Sequence, residues 1–217
     1  MAQVRTPAGT RVFVQSAISA KQAITAIALQ APPVVTYSGA DPANGNYAAL
    51  VDMFGTTELE DALVKVANVN TTANTFEAED QDATGYGTFA SGNLQIVTLA
   101  TEIQIATGFT IDGFEQQFEE YNLLNDRITR RHPTVVSAGS MRLPCIWDPA
   151  DAGLAALRAA GDTAKKLGFK ILFPDGLEML FFGHVGASGM PTAESSTSIM
   201  RTDVSVTIAT RPRYVFP

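Results

Sequence analysis

The sequence predicts a mainly β protein with a single helix, and a second, small all-β module set between its first strand and the rest. Three observations lead there. Short runs of β-branched and aromatic residues recur between turns rich in Gly, Pro and Asn. The strongest run, Phe169-Lys170-Ile171-Leu172-Phe173, leads into Pro174-Asp175-Gly176, where Pro fixes φ and Gly accepts the positive φ of a hairpin turn. One stretch, from Asp148 to Gly161, carries both helix start and stop signals.

In chain order, residues 11–16 read as a first strand. Pro32-Pro33 then opens a segment of short apolar pieces divided by Gly39, Asn44-Gly45, Gly55 and Gly85-Tyr86-Gly87, the spacing of a compact β module. The expected division is residues 31–92 for the module, with 1–30 and 93–217 forming the larger unit. Residues 102–106 and 109–112 alternate, so each can bury one face. Residues 114–131 begin acidic and end basic, with a periodicity that fits strand or helix; they read as a long, partly extended loop. Asp148 is the expected helix cap, Pro149 the first helical residue, Leu154 and Leu157 the packing face and Gly161 the stop. Beyond the 174–176 turn, Met179-Leu180-Phe181-Phe182 is apolar on both faces, as in a strand covered on both sides. A flexible stretch at 186–198 precedes Val204, Val206 and Ile208, whose alternation points them into a core.

Composition excludes several functions. A single Cys145 permits neither a disulfide framework nor a cysteine-built zinc site, and fits folding in a reducing cytoplasm. No apolar run reaches the roughly 20 residues of a membrane span, and the first residues lack a signal-peptide pattern, so no membrane role is expected. The net charge is −7, and residues 31–92 hold nine acidic side chains against Lys65 alone. No basic stripe is left to displace counterions from phosphate, which argues against tight nucleic-acid binding.

No catalytic, cofactor or metal site emerges. His132 and His184 lack partners at metal spacing, and Leu143-Pro144-Cys145-Ile146-Trp147 reads as packing. Asp80-Gln81-Asp82-Ala83-Thr84-Gly85 opens like a calcium loop, but Ser91 stands where the closing Glu belongs. The chain is therefore expected not to be an enzyme. What remains is interface material. The six acidic residues between Glu102 and Asp126 contrast with Arg158, Lys165, Lys166 and Lys170. Opposite charges on opposite ends would favour head-to-tail association. The expected subunit or ring interface comprises Glu115, Glu119, Glu120, Asp126, Arg127, Arg130, Arg131, Met179 and Phe181.

Several elements resemble a known family in their order. These are Ser137-Ala138-Gly139-Ser140, the helix with Gly161-Asp162-Thr163, Lys170-Ile171-Leu172-Phe173-Pro174-Asp175-Gly176, Gly183-His184-Val185, Thr192-Ala193-Glu194 and Arg211-Pro212. From about residue 100 onward the chain resembles the lambda-type major tail protein, the tail tube subunit of long-tailed, siphovirus-type phages. It departs at Thr210, where a glycine commonly precedes the Arg-Pro pair, and in a few extra residues after Thr163. Residues 36–92, with Asn44-Gly45-Asn46-Tyr47, Lys65-Val66-Ala67-Asn68-Val69, Ala73-Asn74-Thr75-Phe76-Glu77 and Gly85-Tyr86-Gly87-Thr88-Phe89, resemble a small β module. That module recurs in phage tail proteins and is similar to a domain of ubiquitin-activating enzymes.

The resemblance implies a β-sandwich with one flanking α-helix and six subunits per ring. Rings would stack head-to-tail into the conduit for genome ejection, with the 114–131 loop touching a neighbouring ring or subunit. It implies tape measure, tail terminator and tail tip proteins as partners, no cofactor, and a bore through which DNA passes without specific binding. The protein would be assembled in the host cytoplasm and reside in the virion tail. The rival reading is a receptor- or carbohydrate-binding β module of a phage fibre or capsid decoration.

Overall fold

A computed structural model describes residues 8–122, 128–187, 190–193 and 198–217. The fold is mainly β with one helix. The chain begins in a large sheet with β1 (Arg11–Val14). It then leaves for a second sheet of β2 (Ala17–Ile18), β3 (Gln22–Ala28), β4 (Val34–Ser38), β5 (Tyr47–Phe54), β6 (Ala62–Asn70), β7 (Thr75–Ala78) and β8 (Ser91–Thr98). It returns through β9 (Thr101–Glu102) and β10 (Thr110–Asp112) and makes a two-stranded arm, β11 (Gln116–Tyr121) and β12 (Arg130–Val136). The large sheet is completed by β13 (Gly139–Ile146), helix α1 (Ala152–Thr163), β14 (Lys166–Leu172), β15 (Glu178–Ala187), β16 (Arg201–Ile208) and β17 (Arg213–Val215).

The second sheet closes on itself. β8 pairs with β3 along one edge and with β5 along the other, so β3, β4, β7, β6, β5 and β8 form a six-stranded barrel with β2 appended. Its interior holds Ile24, Val35, Tyr37, Leu50, Val64, Phe76 and Leu94. The barrel therefore draws in residues 17–28 and 93–98 on both sides of the 31–92 segment. The expected turn at Asn44-Gly45 is present, with Gly45 at φ 84°.

The large sheet has the order β10-β13-β16-β15-β14-β1-β9, with β17 also on β15. It too closes. Residues 102–106 were expected as one alternating strand, but only Thr101–Glu102 is a strand. Ile103 N–H donates to Val12 O, whereas Ile105 O accepts from Ile146 N–H and Thr107 N–H donates to Pro144 O. The segment crosses from β1 to β13 and divides its hydrogen bonds between them, which breaks a single ladder. Val12, Met141, Leu143, Phe169, Ile171, Phe181, Val204, Val206 and Ile208 fill the enclosed core with Leu154 and Leu157 of α1.

Two helix boundaries differ from expectation. The cap is Asp151, whose carboxylate accepts from Leu154 N–H at 2.8 Å, while Asp148 accepts from Ala150 N–H in a preceding turn. Gly161 lies inside the helix, which ends where Ala164 takes a left-handed conformation at φ 50°. The 174–176 hairpin forms as expected. Gly176 sits at φ 88° with its N–H on Phe173 O, and Leu172 pairs with Glu178.

β15 is covered on both faces. Met179 and Phe181 point into the core under α1, whereas Leu180 and Phe182 meet Ala49, Leu63, Val97 and Leu99 of the barrel side, with Val215. Polar groups complete this seam. Tyr47 hydroxyl lies 3.1 Å from Glu178, and Lys170 Nζ donates to Tyr47 Oη at 3.2 Å. The Lys170 ammonium also sits 4.5 Å from the Phe13 ring centroid, and Lys166 pairs with Asp61 at 2.5 Å. This corrects the charge reading: Lys166 and Lys170 face the barrel of their own subunit and form no free basic end.

Candidate assembly interface

The described residues of 114–131 belong to a two-stranded β arm rather than a loop. β10 pairs with β13, and the same ribbon continues outward as β11 and β12. At its base, Gly113 and Phe114 both have positive φ, 102° and 61°. A Cβ on Gly113 would stand 2.5 Å from Ala138 O, and one on Gly139 would stand 2.1 Å from the Phe114 ring. Two glycines thus let the ribbon bend while Phe114 packs against the core and anchors it. Glu115 and Ser137 close the base, with Ser137 N–H on Glu115 O and Glu115 N–H on Ser137 Oγ.

All residues of β11 and β12 are exposed. Phe118 faces Pro133, Glu119 faces His132, Glu120 faces Arg131 and Tyr121 faces Arg130. Glu120 and Arg131 make an ion pair at 2.6 Å. Of the expected interface residues, the arm thus brings together Glu115, Glu119, Glu120, Arg130 and Arg131; Asp126 and Arg127 lie outside the described residues. Met179 and Phe181 are elsewhere, buried in the subunit's own core at 4% and 1% exposure. The reason is parity: it is the even positions of β15 that point outward, and the barrel covers them. Sequence reasoning missed the exposed apolar members Phe118, Val135 and Val136. Pro133 was the available signal, since Pro is confined to edge strands.

A second exposed surface is the outer face of β10, β13 and β16. It presents Thr110, Asp112, Ser140, Arg142, Arg201, Asp203, Ser205 and Thr207, and the Arg142 guanidinium is hydrogen-bonded to Asp203. A third is apolar: Ile146, Met190, Ile199 and Met200 are exposed near the far end of β13, where Trp147 N–H donates to Met200 O.

The groups weighed for chemistry are dispersed. His132 is exposed on the arm and His184 on β15. Cys145 is buried, and desolvation first, with the nearby charges of Asp151 and Asp203, pushes its thiol up to about 11. A thiol so protonated at neutral pH is a poor nucleophile. Among the described residues no group of three His, Cys, Asp or Glu side chains could hold a metal. Asp82 accepts from Thr84 within its own turn, and Asp80 accepts from Phe216 N–H. A cleft of about 680 Å³ runs between the barrel and residues 210–216. Arg213 crosses it to Gln81 Oε1 and Glu58 O, so its polar lining is committed to holding the C-terminal segment.

The sequence profile of the phage tail tube protein family matches residues 54–216, about three-quarters of the chain. The chain belongs to that family. The match starts at the last residue of β5, so it spans β6, β7 and β8 of the barrel as well as the large sheet beyond β1. No curated protein matches the chain significantly. As a phage tail tube protein, it is a structural component of the virion tail.

Proposed function

We propose that this tail tube protein assembles into rings of six that stack head-to-tail into a hollow tube, the conduit through which the genome is ejected. Tape measure, tail terminator and tail tip proteins would be its partners, and subunits would assemble in the host cytoplasm. The observation that carries this reading is the outer face of β10, β13 and β16, the part of the large sheet that neither α1 nor the barrel covers. Most of its side chains are small and polar, Arg142 is paired with Asp203, and Arg201 stands on the same face at one end of β16. Duplex DNA carries about one negative charge per 1.7 Å, so a bore with free cations would hold it by releasing counterions. A wall of mostly small polar groups, with arginines only at 142 and 201 among the described residues of that face, would hold it weakly.

In this arrangement the barrel, an inserted module of the kind that recurs in phage tail proteins, lies outside the tube, where it cannot block the bore. The arm, including Glu115, Glu119, Glu120, Arg130 and Arg131, contacts a neighbouring subunit or ring, and Asp126 and Arg127 take part in the same contact. Electron microscopy of the purified protein tests the reading. Regular hollow tubes or six-membered rings are expected; a protein that stays monomeric at every concentration would overturn it. Replacing Ser205 and Thr207 by Lys should leave tubes intact yet slow DNA ejection from reconstituted virions.

A further inference from the structure

The barrel is joined to the large sheet by two crossings of the chain that lie side by side. The chain enters the barrel after Gln15-Ser16 and leaves it at Thr98-Leu99, and Ser16 N–H donates to Thr98 O at 2.8 Å. Gln15 is tied to the sheet, with its N–H on Gly168 O and its side-chain oxygen accepting from Gly168 N–H. Two adjacent crossings make a hinge and leave the angle about it open.

The seam behind β15 adds a modest hold. On the barrel side its buried apolar residues are Ala49, Leu63 and Val97. Its polar contacts fall on Tyr47 of β5, Lys65 of β6 and Asp61 just before β6. Units that meet over a small interface of this kind are expected to move relative to one another.

The C-terminal segment reaches further round the barrel. Thr210 Oγ1 donates to Asp61 O at 3.3 Å, and Arg213 donates to Glu58 O at 2.9 Å and to Gln81 Oε1. Phe216 N–H donates to Asp80 at 2.7 Å. Asp80 and Gln81 follow β7, which lies three strands from β8 in either direction round the barrel. Since β8 runs into the hinge, the segment grips the wall opposite the tether, where a hold resists rotation most. Gln81 is only 8% exposed, so its bond to Arg213 is shielded from water and correspondingly stronger. The same segment is fixed to the sheet. β17 pairs with Glu178, Met179 and Leu180, Val215 is buried in the seam, and Pro217 covers the 174–176 turn, where a Cβ on Gly176 would stand 2.9 Å from Pro217 Cβ.

We propose that residues 210–217 are a clasp that locks the barrel in one orientation on the large sheet and makes the subunit a single rigid block. Without the clasp the barrel turns about the crossings at 15–16 and 98–99. The clasp acts within one subunit, whatever that subunit assembles into.

Full-length protein carrying Thr71→Cys on the barrel and Ala159→Cys on α1, both exposed positions, is labelled with nitroxides; Cys145 is buried and stays unlabelled. It is diluted into excess unlabelled protein, so that only distances within one chain are read. Pulsed electron resonance should then give a single narrow distance distribution. Deleting residues 213–217 should broaden it roughly twofold or more, as for units joined by a small interface alone. Arg213→Glu sets a carboxylate against two acceptors, Glu58 O and Gln81 Oε1, and should broaden it in the same way while the far-ultraviolet circular dichroism stays unchanged. Distributions as narrow as wild type in both variants would overturn the clasp, because the seam would then hold the barrel unaided. A broad distribution in the wild-type background would overturn it too. Should the deletion unfold the chain, Arg213→Glu decides alone.

Discussion

Two hairpins of this protein are opposites. The hairpin of β14 and β15, turning at Pro174-Asp175-Gly176, has both faces of its returning strand buried, one on the helix side and one on the barrel. The arm of β11 and β12 has neither face buried. The first is completed within the subunit, so its apolar residues measure stability. The second has no cover within the described subunit, so under the assembly proposed above its residues would measure association. Exposed apolar or charged residues on the arm should therefore change assembly without changing folding, and the reverse should hold on β15.

The sharpest way to break that division is charge reversal on the arm. Substituting Arg127, Arg130 and Arg131 by Glu should abolish tubes under the electron microscope while the far-ultraviolet circular dichroism of the monomer stays unchanged. An unfolded variant would show that the arm is part of the fold. Next, Phe181→Ala should destabilise the monomer by about 3–5 kcal/mol in urea titration, the usual cost of emptying a buried aromatic site. Phe118→Ala should shift the same curve by no more than about 0.5 kcal/mol. Equal shifts would erase the contrast between the two hairpins.

A smaller effect comes from the seam behind β15. Lys170 lies over the Phe13 and Tyr47 rings, so Lys170→Met should cost about 1–2 kcal/mol in the same titration. The smallest concerns pH. Burial first, then the hydrogen bond to Asp41, pushes the Tyr37 hydroxyl up to about 12. Burial and Glu178 likewise raise Tyr47. Both phenols keep their protons in the folded state after the unfolded chain has lost them, so stability should fall as pH rises above about 10. Tyr37→Phe should flatten that decline; an unchanged slope would place its origin elsewhere.

Much of the β15 side was legible because burial leaves a period. Val204, Val206 and Ile208 alternate with polar residues and are buried, and the run at 179–182 announced two covered faces. The arm was not legible for the same reason inverted. With both faces in solvent, nothing selects apolar residues at every second position, and Phe118 and Tyr121 fit a helical spacing equally well. The Asp148 and Asp151 ambiguity was local: each is an Asp ahead of a helical pattern, and only the hydrogen bond to Leu154 distinguishes them. Barrel closure depends on β8 serving two partners that lie far apart in sequence, β3 and β5. The seam depends on Lys166 and Lys170 meeting a surface made about a hundred residues earlier. Neither leaves a mark in any short window.

The course of the chain between the two sheets also sets an order of events during synthesis. Arg11 of β1 pairs with Leu172 of β14, whereas every strand of the barrel lies between Ala17 and Thr98. When Leu99 has emerged from the ribosome, the barrel has all of its strands, but the large sheet has only β1. Domains fold as units as they are made, and distant pairings close last. A nascent subunit would thus carry a finished, acidic barrel beside β1 for as long as β14 remains unmade. The arm would gain its anchoring sheet only near the end of translation.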